Sequence, residues 1–592
     1  MINNRGFNNK NTYTRKGTKT MTKTIRKMIS LIIAVTMIAA MSSFVMAADN
    51  PLVTVKKTDP NDTSAHTYSF HQVFKANVHD DGSLYDIDWA DGITDDAAFY
   101  TALSSVTGFD GVTSVDDVLK KLEGATNNSA MVDAFADFIS DKVAAATDTI
   151  SLPASETSKQ QTLSTGFGYY LVKDEITGAN GNGAVSKFML KVLNKTTNID
   201  INTKEVVPTL DKKIVGGEGD DYNQASVGDE IKFELSSTVP DLRNKGYNKY
   251  CFVMNDTLSE GLTYIGTSDS NNKPLSVKIG SKTLTADEYT FTYDESNNKI
   301  EIVFKDFLDY GLNETYIGQP VTVQYLAKLN DKAKVNDEGN PNTANLVYSN
   351  DPSHNYTSDK PTSSDPTGKT PDQVTMTYTT GVKVIKTDKD GKKLQGAKFE
   401  ITGTSADQVI VTKTEYVQDD TNGTYYLLAD GTYTDVAPTT NPQEGYANDG
   451  HKYKLTTVKT LETKPATTEI QQVVDDDGIL VLTGLGVGTY YIQEIEAPAG
   501  YVLDNTKHKV EVFCTFNAAG EPTWTYKIDD NDVSVAAGEA FVKLTIVNKK
   551  TTDLPETGGI GTKGFYLAGS MLLVAGAALI VLKKRNTADA NR

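Results

Sequence analysis

The sequence predicts an all-β protein, several sandwiches in series, exported and tethered at its C-terminal end. Three observations carry that prediction. Thr, Asp, Asn, Gly and Tyr are abundant while hydrophobic residues make up only 38%, a bias toward exposed strands and tight turns rather than helices. Short segments such as Glu230-Ile231-Lys232-Phe233-Glu234-Leu235 and Lys299-Ile300-Glu301-Ile302-Val303-Phe304 alternate polar and apolar residues, as half-buried strands do. Finally, two strand-like segments each occur twice. Val53-Thr54-Val55-Lys56-Lys57-Thr58-Asp59 is echoed by Val382-Lys383-Val384-Ile385-Lys386-Thr387-Asp388, and Gly166-Phe167-Gly168-Tyr169-Tyr170-Leu171-Val172 by Gly488-Thr489-Tyr490-Tyr491-Ile492-Gln493. The first and last domains therefore read as distant copies of one sandwich.

Residues 1–48 carry Lys and Arg from Arg5 to Lys27, an apolar run from Met28 to Met46, then Ala47-Ala48-Asp49. That is the layout of a long secretory signal peptide, cut after Ala47 or Ala48. A chain of 592 residues has room for about three separately buried cores after the leader is removed. Its net charge of -19 excludes nucleic acid as a partner, because phosphates would repel it. The only cysteines, Cys251 and Cys514, fall in different domains. Each is expected to be a small buried hydrophobe rather than half of a disulfide.

The first domain, residues 49–205, contains a helical insertion from about Ala97 to Val143, with Phe135, Phe138 and Ile139 spaced for one helix face. The middle domain, residues 206–372, opens at Pro208-Thr209-Leu210-Asp211-Lys212-Lys213-Ile214 and ends in the Ser-, Pro- and Asp-rich stretch from Ser349 to Asp372, a natural boundary. The third domain, residues 373–550, has its own insertion from about Thr404 to Pro465, in which Ala429-Asp430-Gly431-Thr432 predicts a hairpin turn. Residues 551–592 hold Leu554-Pro555-Glu556-Thr557-Gly558, an apolar run from about Gly564 to Leu582, and Lys583-Lys584-Arg585. The apolar run is long enough to cross a bilayer as a transmembrane helix, with the basic cluster left in the cytoplasm. Pro555 disfavours helix at Leu554, so the pentapeptide stays extended. This order of elements resembles the cell-wall sorting signal of Gram-positive surface proteins. The resemblance implies cleavage by a sortase between Thr557 and Gly558, transient membrane anchoring, and attachment to peptidoglycan.

Three polar residues in the third domain point into its core. Lys386 shares a face with Val382 and Val384, Glu494 with Ile492, and Asn548 with Val542, Leu544 and Ile546. A core lysine is costly unless it is paired or neutral. One reading is an ion pair capped by the asparagine amide. The other is an intramolecular isopeptide bond, in which a neutral amine attacks the amide carbon, the acid polarises it, and ammonia leaves. Lys386-Thr387-Asp388 with Leu394-Gln395-Gly396-Ala397-Lys398-Phe399, and Tyr491-Ile492-Gln493-Glu494 with Ala497-Pro498-Ala499-Gly500-Tyr501, resemble the Cna-B type domain of Gram-positive pilins. That family is immunoglobulin-like, and the resemblance implies a bond between Lys386 and Asn548 promoted by Glu494. The middle domain is similar to the Cna-A-like domain of the same pilins, where aspartate is the acid. The resemblance implies Asp256, within Asn255-Asp256-Thr257-Leu258-Ser259-Glu260-Gly261-Leu262-Thr263, together with Lys212 and Asn342. Lys212 alternates with Leu210 and Ile214, and Asn342 with Ala344, Leu346 and Tyr348, leaving Lys213 and Asn345 outward. In the first domain Lys57 has the right strand and face, but aligning the tyrosine pairs puts Lys173 where the acid belongs, with Asp174 and Glu175 one and two residues away, a shift that matters in a strand. No isopeptide bond is expected there.

The domain order, the two isopeptide candidates and the sorting signal together resemble the SpaA-type backbone (major) pilin. The resemblance implies a structural pilus subunit rather than a turnover enzyme, a cell-wall location, and polymerisation with other copies of itself. A pilin-specific sortase would transfer the acyl group of Thr557 to a lysine near the end of another copy's first domain, while a housekeeping sortase, peptidoglycan and accessory pilins complete the partners. The family's Tyr-Pro-Lys motif is missing. The equivalent segment, Ile199-Asp200-Ile201-Asn202-Thr203-Lys204-Glu205, names Lys204 as acceptor with Lys195 in reserve. The alternative is a monomeric wall-anchored adhesin or pilus tip protein that grips host matrix or a glycan, which Trp89 and Trp524 are too few to decide. No cofactor or metal is expected. His66, His71 and His79 are loosely spaced and read as surface residues, Asp388-Lys389-Asp390-Gly391-Lys392 reads as a β-turn, and no Gly-x-Ser-x-Gly elbow, phosphate loop or Cys-x-x-Cys occurs.

Overall fold

The computed structural model describes residues 50–126, 129–177, 182–194, 198–266, 276–403, 408–463, 472–473 and 477–551. The signal peptide, Lys195, the Leu554–Gly558 pentapeptide and the apolar run that follows lie outside the described residues. Among those described, no helix is long and apolar enough to cross a membrane.

Alternating strands build three two-sheet units. In the first, Leu52–Lys56 pairs antiparallel with Ser158–Thr162 and parallel with Ile199–Asn202. The facing sheet runs Leu84–Trp89, Ala65–Val78, Gly168–Thr177, Met189–Leu193, with Asp148–Leu152 also paired to Ala65–Val78. Val53, Val55, Tyr68, Phe70, Tyr170, Val172 and Ile201 close the core between them. The outer face of that second sheet is covered by the expected helical insertion, which forms three helices, Ala97–Leu103, Val115–Glu123 and Ala130–Ile139. Each begins at a short polar side chain, Asp96, Ser114 or Ser129, that accepts a hydrogen bond from a first-turn N–H and so satisfies an otherwise orphaned donor. Phe135 and Ile139 are fully buried against the sheet, and Phe138 packs at the edge of the same cluster.

In the middle unit, Asn340–Ser349 and Phe252–Leu258 lie side by side at the centre of one sheet. Glu230–Thr238 and Pro320–Leu329 form the centre of the other, with Asp211–Ile214 on the edge beside Glu230–Thr238. In the third unit, Thr380–Asp388 sits between Ile479–Leu485 and the parallel final strand Val542–Asn548, facing a sheet that contains Lys398–Gly403 and Gly488–Glu496. First and last strands pair parallel in both end units, as expected of two copies of one sandwich. The third unit's insertion forms a long hairpin, Gln408–Gln418 with Tyr453–Thr463. Near its tip Leu428 N donates to Thr432 O at 2.8 Å, and Gly431 takes φ +85°, closing the predicted turn at a position that favours glycine.

The structure moves one boundary. Gln373–Tyr378 pairs with Asn340–Ser349 and Tyr222–Gln224, so it completes the middle sheet instead of opening the third domain. The polar stretch before it is no linker: Tyr356 is buried, its Oη donates to Pro366 O at 2.8 Å, and Thr367–Lys369 pairs with Asn340–Ser349. The chain passes through the buried Thr379 straight into Thr380–Asp388. The junction is clamped by Asn336 Nδ2 donating to Ala540 O at 2.7 Å and Val227 N donating to Gly484 O at 2.9 Å. Cys251 is buried as expected, whereas Cys514 is only half-buried; both are free.

Candidate functional site

Period-two alternation brings the third domain's three polar residues together. Lys386 stands opposite Ile546 in the parallel pair, and Asn548 lies two residues further on. Glu494 projects from the facing sheet. All three are at most 1% exposed. Lys386 Nζ donates to Ile546 O at 3.0 Å and to Asn548 Oδ1, and Glu494 Oε1 lies 3.6 Å from Nζ. Asn548 Nδ2 donates to both Glu494 oxygens, at 3.1 and 2.9 Å, and to Val502 O at 3.0 Å. Asp504 N in turn donates to Glu494 Oε2 at 2.8 Å, fixing the acid. Burial pushes the Lys386 pKa down against the pull of Glu494, which favours the neutral, nucleophilic amine. The expected turn follows directly: Gly391 N donates to Asp388 O at 3.0 Å.

The middle domain assembles a related cluster differently. Lys212 is buried and Lys213 faces out to Glu234 at 2.9 Å, as the alternation predicts. Lys212 Nζ lies 2.6 and 2.5 Å from the two Asp256 oxygens. Asn342 is fully buried, while Asn345 pairs outward with Asp372 at 3.0 Å. No hydrogen bond joins Asn342 to Lys212 or Asp256. Between them stands Tyr325, from Pro320–Leu329, which the sequence reading missed. Asn342 Nδ2 donates to Tyr325 Oη at 2.6 Å, Lys212 Nζ donates to it at 3.3 Å, and Oη donates to Asp256 Oδ2. Asn342 Oδ1 is buried without a partner. Burial lowers the Lys212 pKa to about 8 even against the Asp256 charge, and raises that of Asp256. The pair is thereby pushed toward sharing a proton as neutral amine and neutral acid.

In the first domain the structure corrects two readings. The buried face of Gly168–Thr177 carries Tyr170, Val172 and Asp174, matching Tyr490, Ile492 and Glu494, so Asp174 rather than Lys173 occupies the acid's position. Lys173 points the other way, its Nζ donating to Ser140 O at 2.8 Å. Extending the parallel register one step past Lys56↔Asn202 sets Lys57 opposite Thr203, so the asparagine's position, two residues further on, holds Glu205, whose Oε1 accepts from Thr58 N at 2.7 Å and Asp59 N at 3.1 Å. The Lys57 side chain is 2% exposed, and its Nζ donates to Asp62 O and Ser64 O at 3.2 and 3.0 Å. His66 is not a surface residue. It is buried, with Nδ1 2.7 Å from Asp174 Oδ1 and Nε2 3.1 Å from Asp62 Oδ2. Burial pulls its pKa down, but the two carboxylates outweigh it and raise it to about 9. His71 is half-buried and His79 exposed. Among the described residues no cluster of side chains is arranged to hold a metal ion.

Lys204 follows the strand Ile199–Asn202, half-buried, with its backbone N donating to Ser186 Oγ at 2.6 Å. Burial lowers its pKa, Asp133 opposes that shift, and Lys187 adds to it.

Comparison with known proteins finds resemblances in parts of the chain. The SpaA prealbumin-like fold domain matches residues 380–464 and 449–531, and the LPXTG cell wall anchor motif matches residues 546–589. The trypsin-resistant surface T6 protein of Streptococcus pyogenes serotype M6 is 27% identical over 420 residues, covering 64% of this chain and 70% of that protein. Among solved structures, the three-domain T6 backbone pilin of serotype M6 Streptococcus pyogenes aligns with a TM-score of 0.48 at 17% identity, covering 85% of this chain and 100% of that one. The major pilin SpaD from Corynebacterium diphtheriae aligns with a TM-score of 0.43 at 17% identity, covering 86% and 100%. With prealbumin-like domains ahead of a cell-wall anchor and a streptococcal surface protein as its relative, this chain has the features of a cell-wall-anchored surface protein and resembles the sortase-assembled backbone pilins.

Proposed function

We propose that this chain is the shaft subunit of a covalent pilus, with the Lys212–Asn342 and Lys386–Asn548 pairs closed as intramolecular isopeptide bonds. The observation that carries the reading is the third-domain cluster, where amine, amide and acid are buried together and the amide is hydrogen-bonded directly to both the amine and the acid. The Lys386 amine attacks Cγ of Asn548, forming the Nζ–Cγ bond as the Cγ–Nδ2 bond breaks. Glu494 takes the proton that Nζ loses and passes it to Nδ2, and ammonia departs. Fixed geometry supplies the effective molarity for a reaction between two groups that are inert to one another in solution. Asp256 is the corresponding acid of the middle domain. Each bond forms once, so the chain performs no turnover.

The Lys386–Asn548 bond joins the entry strand of the third domain to its exit strand, so tension along the chain loads that cross-link rather than the sheet hydrogen bonds, while the Lys212–Asn342 bond joins the middle domain's entry strand to Asn340–Ser349, the strand paired with its exit strand Gln373–Tyr378. Closing a loop of about 130 residues would stabilise by about 4 to 5 kcal/mol on the disulfide analogy. A pilin-specific sortase cleaves after Thr557 and joins its acyl group to Lys204 of another copy, and wall attachment follows through a housekeeping sortase. The lowered Lys204 pKa supports it as the acceptor, because only the neutral amine attacks an acyl-enzyme. The test is electrophoresis of wall extracts from cells expressing variants. Thr557→Ala should remove both the polymer ladder and the wall-bound protein, and Lys204→Ala should remove the ladder but leave anchored monomer. A ladder that persists in Lys204→Ala overturns that acceptor, and wild-type protein found only as anchored monomer favours an adhesin.

A further inference from the structure

We propose that Tyr325 is a catalytic residue of the middle-domain cross-link, carrying the proton that Asp256 cannot itself deliver to Asn342. The proposal rests on the reading above that Lys212 and Asn342 become joined. Its basis is the contrast between the two clusters. In the third domain the glutamate spans the site, accepting from the asparagine Nδ2 on both oxygens while lying 3.6 Å from the lysine. Aspartate is one methylene shorter. Asp256 grips Lys212 with both oxygens, at 2.6 and 2.5 Å, and has no hydrogen bond to Asn342. Tyr325 Oη fills the gap, bonded at once to the acid, the nucleophile and the leaving nitrogen.

A buried tyrosine hydroxyl needs only one partner to satisfy it. This one has three, and they are the three groups that must exchange a proton. The proton balance closes without water. The pair begins as neutral Lys212 amine and protonated Asp256. As Nζ attacks Cγ of Asn342, Oη gives its proton to Nδ2 and receives one from Asp256, while Asp256 recovers the proton that Nζ sheds. The Nζ–Cγ bond forms, the Cγ–Nδ2 bond breaks, ammonia leaves, and Tyr325 and Asp256 end as they began. Burial holds the phenol pKa well above its ordinary value, so Tyr325 acts as a neutral relay and not as a phenolate.

The experiment follows the intact mass of the recombinant ectodomain at intervals after synthesis for wild type, Tyr325→Phe, and Tyr325→Phe combined with Asp256→Glu. The third-domain bond serves as an internal control. Lys212→Ala, which also lacks the middle bond, sets the reference for trypsin resistance of a folded but unlinked middle domain. Tyr325→Phe should lose the third-domain ammonia on schedule and the middle-domain ammonia about 10²- to 10⁴-fold more slowly. The double variant, whose longer acid reaches the amide as Glu494 does, should recover the bond. Tyr325→Phe forming the middle bond at the wild-type rate, or a folded double variant that stays unlinked, overturns the relay. Wild-type protein that never loses the middle-domain ammonia overturns the cross-link itself, a separate result.

Discussion

At the scale of single residues, burial does chemical work in this chain. Desolvation pushes Lys386 and Lys212 toward the neutral amine and Asp256 toward the protonated acid, and in the third domain it does so where the amine is hydrogen-bonded to the amide of Asn548. Glu494→Gln keeps a polar group beside Asn548 but cannot carry a proton between Nζ and Nδ2. Its third-domain bond should form about 10²- to 10⁴-fold more slowly, read as ammonia retained in the intact mass. His66 makes the opposite use of burial. Its folded pKa of about 9 lies above the ordinary 6.5, so its contribution is fully present below pH 6.5 and is lost as pH rises through about 9. The first domain should therefore lose up to about 3 kcal/mol of stability across that window. His66→Gln should flatten the slope in denaturant melts of the ectodomain recorded from pH 6 to 10.

At the scale of strands, register decides which domains can cross-link. Thr380–Asp388 and Val542–Asn548 set Asn548 one inward step beyond the contact of Lys386. The first domain repeats the strand pair but places Glu205 at that step, where a carboxylate offers no ammonia to lose. A tryptic map should recover the Lys57 and Glu205 peptides separately, while those of Lys212 with Asn342 and Lys386 with Asn548 appear as linked species. The third-domain triad and the inward faces of Lys212 and Asn342 were legible in the sequence, because alternation alone assigns faces along one strand. Asp174 was not. Two adjacent tyrosines point to opposite faces, so pairing Tyr169-Tyr170 with Tyr490-Tyr491 leaves the register open by one residue, enough to invert every side chain. Tyr325 was hidden for another reason: in Val321, Val323, Tyr325, Ala327, Leu329 it looks like one more core aromatic, and only the distant strands that carry Asp256 and Asn342 give its hydroxyl a role. The stretch from Ser349 to Asp372 misled by composition, since one buried tyrosine is enough to strap a polar segment onto a domain.

At the scale of the molecule, the three sandwiches act in series. The strand that ends the middle sheet continues through Thr379 into the strand that bears Lys386, so load passes between the last two domains along backbone rather than across a loose linker. Lys386→Ala removes the proposed cross-link, which would close a loop of about 160 residues and be worth about 5 kcal/mol, and leaves Glu494 buried without its amine. Its third domain should melt well below wild type and yield to trypsin. The central claim is that two bonds, and no third, stiffen this shaft, and the intact mass of the mature ectodomain beside Lys212→Ala and Lys386→Ala tests it most directly. The account predicts a wild-type mass short by two ammonias, with each variant lacking one of those losses. A wild-type mass equal to that of the unlinked sequence would contradict it.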